Sequence, residues 1–353
     1  MSQDIDAHIA FQNGILPRVS RTFALTIPCL PEPLAQVVAN AYLLCRIADT
    51  IEDDPALHAH EKAMFGAWLT ATVAQTRPTD GFGQELASRL APQTPAAERL
   101  LVAETDRVVS VTASFTATQI AAIERAVGVM TTGMADFQHN DSGQGVADLA
   151  TLNRYCYHVA GVVGELLTTL FCEHAGTIAA RRSDLQPLAV SFGQGLQMTN
   201  ILKDVWDDRE RGACWLPRDV FLRHGVDLRR ADQVVPGRHF SSGVQELAAI
   251  TRQHLHSALL YARTIPRQEP GIRTFCLWPV GMALLTLRKI SRHPEFRSAE
   301  QVKISRRSVR LSRLVTNLAA RSNLMLGFLF GSMERAVSLV PGRSSLLRGG
   351  DTG

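Results

Sequence analysis

Apolar residues recur along most of this chain at the three- and four-residue spacing of amphipathic helices. No segment alternates with the period of two that a half-buried strand requires. The clearest run follows Pro33: Leu34, Val37, Val38, Ala41, Leu44, Cys45 and Ala48 form one stripe, and the spacing predicts a helix over 33–53. Proline suits the first turn of a helix, and Asp54-Pro55 stops this one, because the residue before a proline is pushed out of helical geometry. Further helices are predicted over about 61–77, 96–112, 117–138, 149–175, 185–207, 243–264, 273–291 and 309–338. Turn-forming clusters at 77–81, 139–145, 181–187 and 265–271 separate them. With neither a repeat nor a low-complexity linker, the pattern predicts one all-α domain over 1–340 and a flexible tail over 341–353.

Two of these helices carry the same polar interruption. Asp49-Thr50-Ile51-Glu52-Asp53 and Asp204-Val205-Trp206-Asp207-Asp208 both read D-x-x-[ED]-D, which places positions i, i+3 and i+4 on one helical face. Like charges at that spacing destabilise a helix, so their repetition points to a cation. Carboxylate oxygens are hard ligands suited to Mg²⁺, with Mn²⁺ as a substitute, and Mg²⁺ typically bridges to substrate phosphates. Asp49, Glu52 and Asp53 on one side and Asn200, Asp204 and Asp208 on the other are the candidate metal ligands. Solvated acidic helix ends are the plain alternative for either cluster taken alone. Tyr42 and Arg46 share the face of Asp49, and Gln197 shares that of Asn200, Asp204 and Asp208; Arg209 and Arg211 follow at the helix end. Ser20-Arg21-Thr22 adds two hydroxyls and a cation. Lys303, Arg306, Arg307, Arg310 and Arg313 form a basic segment, read either as a solvated helix face or as an anion site.

Composition narrows the choices. A net charge of +4 and 6% aromatic residues give neither a basic surface nor the aromatic-basic interleaving of a nucleic-acid binder, so nucleic acid is excluded as a partner. The six cysteines are scattered without a C-x-x-C pair, which suits free thiols in a reducing, cytoplasmic setting. The amino terminus is too polar for a signal peptide, and the apolar run 324–330 is too short for a transmembrane helix. Peripheral membrane contact stays open, and a monomer is the simplest assembly. Paired glycines in 159–164 and 191–196 fit either close helix packing or the wall of an apolar tunnel.

Five motifs in order, S-R-T-F at 20–23, Y-x-x-x-R-x-x-D-x-x-E-D at 42–53, G-M-A-D-F at 133–137, Y-C-Y-H-V-A-G-V-V-G at 155–164 and Q-x-T-N-I-L-K-D-x-x-D-D at 197–208, resemble the head-to-head prenyltransferases, the squalene/phytoene synthase family. The resemblance covers roughly residues 15–315. F-C-L-W-P at 275–279 and V-K-I-S-R at 302–306 look like the squalene synthase branch, while the loop after Asp208 looks partly like the phytoene branch. The carboxyl-terminal membrane helix of eukaryotic squalene synthases is missing, which a bacterial-type enzyme would explain.

The resemblance implies an isoprenoid-synthase-type bundle around a central apolar cavity. It implies condensation of two farnesyl diphosphates through presqualene diphosphate, then reduction by NADPH to squalene. In that scheme Tyr155 assists proton loss, unless the departing diphosphate is the base. Arg46 and Tyr42 join Tyr155 as catalytic residues, Arg21, Arg46 and Arg211 hold diphosphate, Ser20, Thr22 and Gln197 bind the substrate, Phe275 lines the pocket, and Lys303 and Arg306 contact NADPH. The rivals are a dehydrosqualene or phytoene-type synthase without reduction, an enzyme that stops at presqualene diphosphate, and a non-catalytic helical relative. A non-catalytic relative should have lost an aspartate, and all four outer ones stand here.

Overall fold

The computed structural model describes residues 2–20, 22–135, 137 and 143–327. The expected tail over 341–353, Arg21 and the part of the helix predicted over 309–338 beyond residue 327 lie outside them; within them that helix is interrupted after Ala319 and resumes at 323. Within them the chain is all helical. In order the helices are α1 (Ser2–Val19), α2 (Phe23–Thr26), α3 (Leu34–Asp53), α4 (Ala59–Val73), α5 (Phe82–Arg89), α6 (Ala96–Ala103), α7 (Thr105–Thr112), α8 (Ala117–Ala135) and α9 (Leu149–Cys156). They continue with α10 (Val162–His174), α11 (Gly176–Ala179), α12 (Arg182–Glu210), α13 (Arg218–Leu222), α14 (Arg238–Thr264), α15 (Pro270–Arg292), α16 (Ala299–Val302) and α17 (Arg306–Ala319). Among the described residues the β structure is a single bridge between Val146 and Pro217.

The helix carrying the first acid cluster starts and stops as its sequence dictates. Asp54 leaves helical geometry at φ −70°, ψ 120°. Its buried carboxylate then accepts from the backbone N–H of Ala56 (2.9 Å) and Ala91 (3.1 Å) and from the Thr94 hydroxyl (2.5 Å). Asp54 is thus a structural acid that pins the loop before α6, next to acids that are not so satisfied. The other face of α3 is fixed by a buried polar network: Asn40 donates to Gln12 Oε1 of α1 (2.7 Å) and the Val108 carbonyl of α7 (2.8 Å), and accepts from Thr112 (2.9 Å). Buried amides must be paired this way, so the network sets the rotation of α3 about its axis.

Three departures from the helical pattern have local causes. The run predicted over 96–112 is broken at Glu104 (φ −101°, ψ 25°), where the buried Thr105 hydroxyl donates to the Val102 carbonyl (2.6 Å) and competes with the ladder. The run over 149–175 is continuous but widens into one π turn at Tyr157–Gly161, with His158 Nδ1 donating to the Arg154 carbonyl (2.8 Å). The polar amino-terminal segment, which the pattern did not pick out, forms α1, with Ile15 and Leu16 buried, Phe11 and Val19 packed on the core and Gln12 in the Asn40 network.

Between the glycine-rich motifs, close packing decides. A methyl on Gly164 would stand 1.9 Å from the Ala189 carbonyl oxygen, and one on Gly193 would stand 1.9 Å from that of Ala160. The glycines let α12 lie backbone to backbone on α10 and the π turn; at these two positions the tunnel-wall reading gives way. Two helical stretches, Leu149–His174 and Pro270–Arg292, are long and apolar enough to cross a membrane. Their apolar windows are 61% and 67% buried inside the bundle, as central helices are.

Candidate active site

Both acid-bearing helices, α3 and α12, pack on α10, and neither packs extensively on the other. Their acidic ends nevertheless reach each other electrostatically. The Asp208 carboxyl titrates above its ordinary range because of burial, with Asp204 and, across the gap, Asp53 adding to the effect against the opposing pull of Arg211. Asp53 is raised by burial and by Glu98, against Arg46, Arg211 of the opposite helix and Lys62. Like charges brought together out of bulk water favour the protonated form, so the acidic ends of the two helices lie within electrostatic reach of one another.

Asp49 is the most perturbed of the set. Burial first, then Asp53 and Glu98, push its carboxyl from 3.8 to about 7, although Arg46 pulls the other way. Arg46 is 3.8 Å from Asp49 and is bonded more closely to Glu98 of α6, so its charge is divided between two acids. Its Nε is buried without a hydrogen-bond partner. The second cluster has cations of its own: Lys203 stands 2.8 Å from Asp204, and Arg211 stands 2.5 Å from Asp208. Gln197 is half-buried and Asn200 exposed on the same face of α12.

Tyr155 closes the recess from α9. Its hydroxyl lies within electrostatic reach of Glu52, Asp53 and Asp49, and burial plus those acids hold its pKa well above 10. The ring is stacked on Trp215 (centroids 3.7 Å apart, planes at 11°) and meets Phe137 edge-on at 5.5 Å. The Val146–Pro217 bridge delivers Trp215 there by tying the loop after α12 to the segment before α9: Val146 N–H donates to the Leu216 carbonyl (3.0 Å) and Arg218 N–H to that of Val146 (2.9 Å). The π turn follows Tyr155 directly, and such turns are frequent at functional sites because they re-aim side chains.

On the α3 side, Tyr42 packs on Phe23 (5.0 Å) and donates to the Val19 carbonyl (3.4 Å). Burial raises its pKa, against the nearby Ser20 hydroxyl and Arg46. Ser20 Oγ accepts from Phe23 N–H (3.0 Å), fixing the start of α2, and Thr22 is half-buried beside it. Phe275 is only 1% exposed, packed edge-on against Phe171 (6.0 Å) and 6.3 Å from Phe23. It backs the aromatic wall rather than forming its surface. The basic segment begins where α16 packs on α12: Lys303 is exposed and bonded to Glu300 (2.6 Å), and the Arg306 side chain is outside the described residues. Sequence reasoning passed over Glu98 and Trp215, each far along the chain from its partner, and Lys62, which lies on the helix after the one that carries Asp53.

Among the described residues no three Asp, Glu, His or Cys side chains converge on a single point as a closed cage. The donor set still suits a hard divalent cation that keeps water and borrows phosphate oxygens, because Asp49, Asp53 and Asp208 are all held in a state that added positive charge would relieve. The profile of the squalene/phytoene synthase family matches residues 16–308. The chain belongs to that family. Among its relatives, the squalene synthase of Candida albicans is 28% identical over 80% of this chain and 61% of its own length. Botryococcus squalene synthase, from Botryococcus braunii, is 30% identical over 82% of this chain and 59% of its own. The chain thus spans about three fifths of the length of the curated relatives it matches.

Solved structures share the family's bundle. The complex of TcSQS with the ligand E5700 superposes with a TM-score of 0.70 at 23% identity, covering 94% of this chain and 99% of that one. A dehydrosqualene synthase with bound ligand gives 0.64 at 21%, covering 90% and 98%. The expected bacterial counterpart is distant: squalene synthase HpnC from Alicyclobacillus acidocaldarius gives 0.52 at 14%, covering 94% and 95%. At these identities the fold is what is shared, the isoprenoid-synthase bundle.

Proposed function

We propose that this family member is a squalene-synthase-type prenyltransferase that joins two farnesyl diphosphates head to head through presqualene diphosphate and reduces the product to squalene. The observation that carries the reading is the electrostatic meeting of Asp53 and Asp208 across a recess that also holds the overprotonated Asp49. Asp49, Asp53 and Asp208 would hold magnesium, with Glu52, Asn200 and Asp204 beside them; the bound ion would supply positive charge against a departing diphosphate.

The chain's own groups do the rest. Arg46, oriented by Glu98, presents its unpartnered Nε as a fixed donor to a diphosphate oxygen. Arg211 and Arg21 are assigned the same ligand from the motif pattern. Tyr155 stays protonated at neutral pH, so it serves as a hydrogen-bond donor over the acids. The departing diphosphate is then the better base for the proton lost on cyclopropane closure. The aromatic packing of Tyr155, Trp215 and Phe137 excludes water from the allylic cation.

A single incubation of the purified chain with farnesyl diphosphate and Mg²⁺, with and without NADPH, separates the outcomes by product mass. Squalene formed only with NADPH supports the proposal. An identical, more unsaturated hydrocarbon in both tubes assigns the dehydrosqualene reaction, and accumulation of presqualene diphosphate assigns a partial one. No consumption of substrate overturns the enzymatic reading. A monomeric, cytoplasmic protein completes the proposal.

A further inference from the structure

α17 is inside out. Leu311, Leu314 and Leu318 lie on one face of α17 at i, i+3 and i+7, yet they are 62%, 58% and 52% exposed. The helical segment that resumes at residue 323 adds Leu324 and Met325, 88% and 41% exposed. What α17 turns toward the bundle is small and polar: Ser312 and Thr316 sit against Gly281 of α15, and Ala319 and Ala320 are fully buried. A globular protein buries its helical leucines, and a stripe of them facing water marks an interaction site.

Charge identifies the occupant. Arg307 lies on the leucine face one turn before Leu311, Arg310 borders it, and Arg313 sits over the Trp278 ring (5.3 Å); these and Arg321 are exposed, and from Gln301 to Met333 the sequence has no Asp or Glu. A second copy of the face would bring these cations against one another. An apolar stripe bordered by arginines matches an interface whose outer layer is anionic and whose inner layer is hydrocarbon.

The patch also has a direction. The charge of Arg313 reaches the Cys29 thiol, which donates to the Leu25 carbonyl (3.9 Å), and Leu25 of α2 is itself 54% exposed. Exposed Leu25 thus lies on the same side as α17, and the first turn of α2 is anchored by Ser20 beside Tyr42.

We propose that α17 lies in the plane of an anionic lipid surface, with Leu311, Leu314, Leu318 and Leu324 in the acyl boundary and the flanking arginines on the headgroup phosphates. This holds the α2 side of the candidate site against the lipid. It does not depend on which product the protein makes.

The test is co-sedimentation of the full chain with vesicles of phosphatidylcholine alone or with added phosphatidylglycerol. Binding is expected only with the anionic lipid and should weaken as salt is raised. The exposed triple substitution Leu311→Glu, Leu314→Glu, Leu318→Glu should lower the partition coefficient by about tenfold or more, with helicity unchanged. Leu222→Glu, at a leucine 48% exposed on α13, should leave binding intact. Equal binding to both vesicle types, or an unaffected triple variant, overturns the proposal. So does a lipid-free dimer that the triple variant dissociates, which gives the face to a second copy. A Leu314→Cys thiol should react quickly with a soluble maleimide in the lipid-free monomer and slowly on vesicles. Slow reaction in the lipid-free monomer would assign the face to the chain's own carboxyl-terminal residues and overturn the proposal.

Discussion

Asp49 sets stability and activity against each other, and the conflict can be measured. Its carboxyl titrates at about 7 in the folded chain and near 3.8 when unfolded. Roughly three pKa units at about 1.4 kcal/mol each bound the effect near 4 kcal/mol. The side chain is 28% exposed, and solvent screening reduces this to about 2 kcal/mol. The sign follows from proton uptake: between about pH 4 and 7 the folded chain keeps a proton that the unfolded chain has released, so stability falls as pH rises through that window. Above it, the folded protein carries the whole cost of an ionised Asp49. Asp49→Asn removes the titration. Thermal unfolding in a chelator should therefore show parent and variant converging near pH 4 and the variant more stable at pH 8, by about 2–4 °C in Tm. Excess Mg²⁺ at pH 8 should raise the Tm of the parent and leave the variant almost unmoved, because only the ionised carboxylate gains from the ion. Asp53, also raised by its surroundings, leaves the variant a shallower slope of its own. Parallel pH profiles, or a variant less stable than its parent at pH 8, would refute the argument.

Other positions give independent tests. Glu98→Gln takes from Arg46 its closest carboxylate and should cut kcat/KM for the diphosphate substrate by about tenfold or more with an unchanged circular dichroism spectrum. Gly164→Ala and Gly193→Ala drive a methyl to 1.9 Å from carbonyl oxygens and should each cost about 3 kcal/mol in denaturant titration. Gly14→Ala, with nothing within 4 Å, should gain about 1 kcal/mol. Arg273 is 1% exposed and donates to the carbonyls of Ile265 (2.7 Å), Arg263 (2.9 Å) and Ala320 (3.2 Å) and to Asn323 Oδ1 (2.7 Å), joining the ends of α14 and α17. Arg273→Met strands those acceptors and should cost about 3–5 kcal/mol, read as a loss of Tm.

What is legible in the sequence is what repeats locally. A helix converts separations of three and four into a shared face, so spacing alone groups Arg46 with Asp49 and Asp53, and Gln197 with Asn200, Asp204 and Asp208. Asp54-Pro55 marks the helix end for the same local reason. Glu98 and Trp215 are invisible to spacing because each meets its partner across tens of residues, through the packing of separate helices. The glycines are ambiguous on principle: a missing side chain admits either a neighbouring backbone or a ligand, and only the path of α12 past Ala160 and Ala189 decides. The same limit explains α17. Its periodicity defines a leucine face and an arginine flank, but periodicity does not say which face meets the bundle.

The two acid clusters look alike as motifs and differ in charge balance. On α12 each outer aspartate has its own cation, Lys203 for Asp204 and Arg211 for Asp208. On α3 Asp49 depends on Arg46, whose guanidinium is drawn away by Glu98, while Asp53 shares Arg46 with the more distant Arg211 and Lys62. A positive ion entering the recess therefore gains most at α3, where the deficit is largest. Diphosphate, in turn, gains most at Arg211, which is 73% exposed and tied to a carboxylate it can leave. Moving Arg211 onto the substrate would uncover Asp208 just as Asp53 across the gap becomes compensated. On the proposed function the asymmetry would give an order of filling, α3 first and α12 with the substrate, which a symmetric pair of clusters would lack.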